Sequence, residues 1–157
     1  MTTSRGQITV TSFSVPAGSL PFWRRRLTSA GIAFTDEASD FGEEALRFSD
    51  PSGLAIRLVE SPADIRAPWR RPDIDQASAI RGIHGVTLLV REPQQTIAFV
   101  QSLMDSTVVG ENAGATRLAV NGDAPGRLIE IVRAGDAPPA INGLGTVHHV
   151  AFAVDDP

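Results

Sequence analysis

The chain repeats itself. One layout occurs three times, as QITVTSFSVPAG at 7–18, IHGVTLLVREP at 83–93 and VHHVAFAVDDP at 147–157. Each copy alternates apolar residues with small or polar ones and closes on a turn containing proline or an acidic residue. Alternation at period two is the mark of a half-buried strand. Aligned on Val15, Val90 and Val154, one face carries Thr11, Phe13 and Val15, then Val86, Leu88 and Val90, then Val150, Phe152 and Val154. That face suits packing under a helix. The opposite face carries Val10, Ser12 and Ser14, then Gly85, Thr87 and Leu89, then His149, Ala151 and Ala153, so it is expected to leave a partly open surface. Self-similarity of this kind means one supersecondary unit used more than once.

The segments after the first two strands repeat as well. Residues 19–31 read as a helix with Ser19 as N-cap, Pro21 in the first turn, Gly31 as C-cap, and Leu20, Trp23 and Leu27 as its apolar stripe. Residues 93–104 open on Pro93 and space Ile97, Val100 and Met104 in the same way. Short strands then flank the turns Asp50-Pro51-Ser52-Gly53 and Asn121-Gly122-Asp123-Ala124-Pro125-Gly126. The expected organisation is a βαβββ module at 6–60, a linker at 61–79 and a second module at 80–134. A second linker at 135–144 then leads to the first strand of a further module at 145–157. The fold class is therefore α+β, with paired βαβββ modules and a sheet of mixed and antiparallel strands.

Composition removes several function classes. A net charge of −4 gives no reason to expect nucleic acid or an anionic membrane surface. The absence of cysteine excludes disulfides and thiolate metal sites. No stretch is apolar over the length of a membrane span, and MTTSRGQ lacks the apolar run of a signal peptide, so the expected location is cytoplasmic. Neither a phosphate-binding glycine loop nor a supported Ser/His/Asp arrangement is present.

The repeated strand–helix–strands module resembles the vicinal oxygen chelate superfamily, which includes glyoxalase I, bleomycin-resistance proteins and extradiol dioxygenases. The segments FSVPAGSLPFWRRRL, FGEEALRFSDPSGLAIRLVE, IRGIHGVTLLV and GTVHHVAFAVDDP, in this order, are similar to the ring-cleaving dioxygenases of the hydroquinone type. That resemblance implies a glyoxalase-like cup of sheet, and it aligns this chain with modules two and three plus the opening strand of module four. It implies non-haem Fe(II), held by two histidines and one glutamate, with open positions for substrate and O₂. Only His149 matches one of those ligands. His148 beside it would hydrogen-bond substrate or bound dioxygen, and the other two ligands have no counterpart, which marks the chain as a fragment.

The repeat register tests the modules that are present. Ligand positions of the family fold fall on Val10 and Gly85 in the first strands and on Arg57 and Glu130 in the last strands. One carboxylate, one guanidinium and no imidazole do not hold Fe(II) or Zn(II), so this cup is expected to be metal-free. Arg57 and Glu130 occupy equivalent slots and are expected to form an ion pair, their charged ends within about 6 Å. His84 takes the register of His148 and is expected to cap backbone groups at a strand entrance. Trp69, among Arg66, Arg70 and Arg71, is expected to pack. The acidic stretch Asp36, Glu37, Asp40, Glu43 and Glu44 is read as solvated.

Two functions are compatible with these residues. The resemblance implies part of an Fe(II)-dependent dioxygenase acting on a small catechol- or hydroquinone-like aromatic, inactive as this chain alone and carrying no cofactor of its own. The alternative is a metal-free small-ligand-binding or structural domain of the bleomycin-resistance kind. An uncovered strand at 146–154 would be disordered or would pair with a second copy in a homodimer.

Overall fold

A computed structural model of the chain describes residues 4–112, 114–141, 143 and 145–152. Two runs of the same element order succeed one another. The first is β1 (Gln7–Val15), α1 (Leu20–Ser29), β2 (Phe34–Ala38), β3 (Glu44–Ser49) and β4 (Ala55–Glu60). The second is β5 (Gly82–Val90), α2 (Pro93–Met104), β6 (Thr107–Glu111), β7 (Ala115–Ala119) and β8 (Leu128–Arg133). All eight strands form one sheet in the order β2-β3-β4-β1-β5-β8-β7-β6. Within each run the first and last strands are parallel, β1 with β4 and β5 with β8, and the other neighbours are antiparallel. The two runs meet at the antiparallel pair β1·β5. The mixed sheet with two helices is the α+β architecture expected from the sequence.

Each helix seals one half of the core. Leu20, Trp23 and Leu27 of α1 bury against Val15, Leu46 and Leu58, and Ile97 and Val100 of α2 bury against Val86, Leu118, Ile129 and Ile131. The cap chemistry of α1 differs from expectation at both ends. Ser19 stands at the N-cap, but its hydroxyl donates to the Pro16 carbonyl at 2.6 Å, and Glu60 accepts from the Leu20 N–H at 3.1 Å instead. The C-cap residue is Ala30, and Gly31 comes after it at φ +68°. The Gly31 and Ile32 N–H groups donate to Thr28 and Leu27, the paired bonds of a Schellman motif, which needs a left-handed residue one step past the cap.

Two further expectations differ. Trp69 is 75% exposed and lines the rim of a cavity of about 380 Å³ with Phe13, Ala67, Pro68, Ile80, Arg81 and Gly82. The tryptophan of the helix-side core is Trp23 instead, its ring N–H tied to the Ser78 carbonyl at 2.9 Å. Residues 145–152 form one isolated bridge, Val147 to Ile8, and not the strand expected there. Pairing of β1 with β4 begins only at Thr11, so the N-terminal half of β1 has a free edge that Val147 takes. Val150 and Phe152 pack against the α2-side core. The remainder of that expected strand, including Val154, lies outside the described residues.

At the joint between the halves, Ser12 faces Gly85, and Gly85 faces Leu128. A Cβ on Gly85 would sit 2.8 Å from the Leu128 carbonyl oxygen. Backbone cannot yield there as a side-chain end would. Gly85→Ala should cost about 1–3 kcal/mol as an overpacked site, lowering Tm by roughly 2–4 °C per kcal/mol in a chain of this size. A thermal melt checks it.

Candidate functional site

The concave face of the sheet starts from a floor of small side chains. Val10, Thr87, Glu130 and Arg117 lie across neighbouring strands in one row, and Arg57, Ser12 and Gly85 in the next. Serine, glycine and threonine leave room above the floor for long side chains from both halves to meet. The face is closed, not partly open as the sequence suggests: Val10, Ser12 and Ser14 are all buried.

A chain of alternating charges does the closing. Arg57 donates through Nε to Glu37 at 2.7 Å and through Nη1 to Glu130 at 3.1 Å. Glu130 also accepts from Arg117 at 2.7 Å and from the Thr87 hydroxyl at 2.8 Å. Arg117 in turn donates to both oxygens of Glu43, at 2.5 and 3.0 Å. Side-chain exposure is 8% for both Arg57 and Glu130, so this central pair has left water. Burial alone would raise the Glu130 pKa, but the Arg117 hydrogen bond, the Arg57 charge and the Thr87 hydroxyl outweigh it and hold the group below the usual carboxylate range. Glu43 is also held low, burial being outweighed by His84, Arg117 and Ser39. Burial opposes the charge on both arginines and is outweighed by their carboxylate partners, so both pKa values are raised.

The loop between β2 and β3, residues 39–43, reaches over this network. Its Phe41 ring lies 4.1 Å from the Arg117 guanidinium carbon. It rests on Gly110 of β6, where a Cβ would come within 2.9 Å of the ring. The Asn112 amide donates to the Asp40 carbonyl. Strands β2 and β6 are the two edges of the sheet. Contact between one edge's loop and the other edge therefore requires the sheet to roll into a cup.

His84 enters the cup through a β-bulge. Ser12 pairs with Gly85 and Phe13 with Ile83, which leaves His84 as the extra residue and turns its ring toward the concave face. Its Nδ1 lies 3.3 Å from the Ser14 hydroxyl, and its buried Nε2 lies 3.8 Å from Glu43 Oε1, beyond hydrogen-bond length. The ring does not cap the strand entrance as expected. Strict alternation would have put it on the helix side, and the bulge reverses that.

The structure thus gathers Val10, Arg57, Gly85 and Glu130 into one cup and adds Glu37, Glu43, Arg117, Phe41 and His84. The acidic stretch is not simply solvated: three of its five members, Asp36, Glu37 and Glu43, are ion-paired, with Arg24, Arg57 and Arg117. One signal was available for Arg117: it is the central and only charged residue of the strand segment ATRLA, and it falls opposite Glu130. His148 and His149 sit elsewhere, exposed, with Nδ1 atoms 3.3 Å apart. Among the described residues no three histidine, aspartate or glutamate side chains are placed to hold a metal ion. The cup does not fit one either, because both of its central carboxylates are committed to guanidinium groups.

No family model matches the chain. Over 151 residues, 96% of its length, it is 36% identical to a Bacillus subtilis protein provisionally named ring-cleaving dioxygenase MhqE and 32% identical to its similarly named relative MhqO. It is 26% identical to the chlorohydroquinone/hydroquinone 1,2-dioxygenase of Sphingobium indicum. The chain spans about half the length of these curated relatives, from 47% to 49%. A solved structure described as a provisional dioxygenase of B. subtilis superposes with a TM-score of 0.81 at 32% identity, covering 94% of this chain and 47% of that one. Maize glyoxalase I superposes at 0.56 with 14% identity, covering 83% of this chain and 42% of that one, and so shares the fold.

The charge network generates two expectations. Glu130→Ala leaves two buried guanidinium groups without their shared partner and should destabilise by about 3–5 kcal/mol in a urea melt. The second concerns acid. Glu43 and Glu130 have depressed pKa values when folded, so their stabilisation is full above the unfolded value of about 4.3 and is lost as pH falls through the folded values. Tm should therefore decline steeply below about pH 4, and less steeply in Glu43→Gln.

Proposed function

We propose, on the premise that this chain has the vicinal oxygen chelate fold and ring-cleaving dioxygenases as homologues, that it is part of a metal-dependent dioxygenase that opens a small catechol- or hydroquinone-like ring. The carrying observation is the extent of the match. It takes in nearly the whole chain and joins sequence and fold in proteins that bear this activity in their names.

In this reading residues 6–60 and 80–134 are two modules joined by the linker 61–79. The metal is Fe(II), and His149 supplies one of its ligands, with His148 beside it as a hydrogen-bond donor to substrate oxygen. The remaining ligands come from residues outside this chain, and the protein works in the cytoplasm. The cup itself plays a different part. Its central ion pair stands at the ligand positions of the family fold and gives a rigid half, braced across the two modules by Arg57, Glu130, Arg117 and Glu43. For the chain alone, the same closed network favours a metal-free domain without ring-cleaving activity.

Anaerobic loading with Fe(II), desalting and iron analysis test both parts. The chain alone should retain iron only at background. Grafted in place of the matching half of MhqE, it should restore an iron-containing protein, and His149→Ala should remove that iron. Near-stoichiometric iron on the isolated chain overturns the metal-free reading. Iron that survives His149→Ala in a folded graft overturns the ligand assignment.

A further inference from the structure

We propose that the cup is occupied by its own β2–β3 loop, and that the seat beneath takes a small aromatic carboxylate when the loop lifts. The loop presents two groups to Arg117. The Phe41 ring covers the guanidinium face, 4.1 Å from its carbon, and the Glu43 carboxylate clamps its edge at 2.5 and 3.0 Å. A ring on the face and a carboxylate on the edge together satisfy a guanidinium by cation–π attraction and a bidentate hydrogen bond. Only glycine at position 110 admits the ring.

The second half-chain module builds this seat, and the loop fills it imperfectly. His84 Nε2 is buried, has no hydrogen-bond partner, and stops 3.8 Å short of Glu43 Oε1. Arg117 Nε is likewise buried and unpartnered. Both orphaned atoms belong to residues facing the same carboxylate, so a free carboxylate able to settle deeper would meet groups that Glu43 misses. The loop is poised to leave. Asp40 and Gly42 are exposed, and the loop's ties to the far module include the Arg117 clamp, the Phe41 contact, the Asn112 bond to the Asp40 carbonyl and the long 3.8 Å approach of Glu43 to His84. Withdrawing Glu43 also removes one negative charge, leaving Arg57 and Arg117 against Glu37 and Glu130 and making the cup more receptive to an anion.

The matching ligand carries an aromatic ring and a carboxylate separated by a short flexible spacer, since benzoate is too short to reach face and edge at once. The probe is 3-phenylpropanoate, titrated calorimetrically into the chain. A self-occupied cup binds more weakly by the fraction of time it stands open. The Phe41→Ala/Glu43→Gln double variant should therefore bind the probe at least roughly tenfold more tightly than the unmodified chain. Adding Arg117→Lys, which keeps the charge but loses the fork and the stacking face, should abolish that gain. No saturable binding by a folded double variant overturns the proposal, as does equal affinity with Lys at 117. Should the double variant not fold, Glu43→Gln alone carries the same comparison. On the unmodified chain, saturating probe should speed amide exchange at residues 39–43, and unchanged exchange counts against the loop's departure. The titration is blind to iron, so its failure leaves the dioxygenase reading untouched.

Discussion

Glu130 sits between two guanidinium groups, and the concave side of the molecule is arranged around that fact. A buried carboxylate or guanidinium alone would cost several kcal/mol in lost hydration. Here each is compensated by an opposite neighbour, in the order Glu37, Arg57, Glu130, Arg117, Glu43. The series joins both modules and the loop above them, so moving any member leaves its neighbour's charge needing another partner. Such a network is a weak source of net stability, because attraction and desolvation nearly cancel. Its effect is geometric: it holds one relative placement of β4, β7 and β8, with the β2–β3 loop clamped above them through Glu43.

The same network explains the sheet's shape. Eight strands with helices on one face would otherwise be an open, twisted surface with two free edges. The loop leaving β2 meets β6 at the opposite edge through Phe41, Gly110 and Asn112. Small residues on the floor give the arginines space to cross, and the bulge at His84 adds an imidazole to the interior. Helices α1 and α2 fill the outer face with apolar contacts. The outside therefore holds by burial of hydrocarbon and the inside by paired charge.

This division bears on function. At the two equivalent slots singled out by the repeat register, this cup has an arginine and a glutamate bonded to each other. A cation and a carboxylate at 3.1 Å meet the same electrostatic need as a metal between anionic ligands, without offering an open coordination position. Chemistry in a ring-cleaving enzyme containing this half would then lie elsewhere, and the cup is free for support or for binding an organic anion.

The repeat made the architecture legible. Period-two strands and helical stripes at Leu20, Trp23 and Leu27 and at Ile97 and Val100 are local patterns, and they placed both halves of the fold. Arg57 and Glu130 were legible for the same reason, because equivalent slots in two repeated modules face one another. Glu43, Phe41 and Arg117 were not assembled in advance, since their meeting depends on the sheet rolling until distant edges touch. The inward turn of His84 was not legible, because a single inserted residue reverses every alternation that passes through it. Val147 took the free half-edge of β1, a vacancy that exists only once β4 has begun its pairing at Thr11. Sequence by itself determined the repeated strand and helix patterns and the charged pair at matched register, because short-range periodicity decides those. Tertiary structure alone decided which loop closed the cup and which buried atoms were left without partners, because those depend on side chains brought together from opposite edges of one curved sheet.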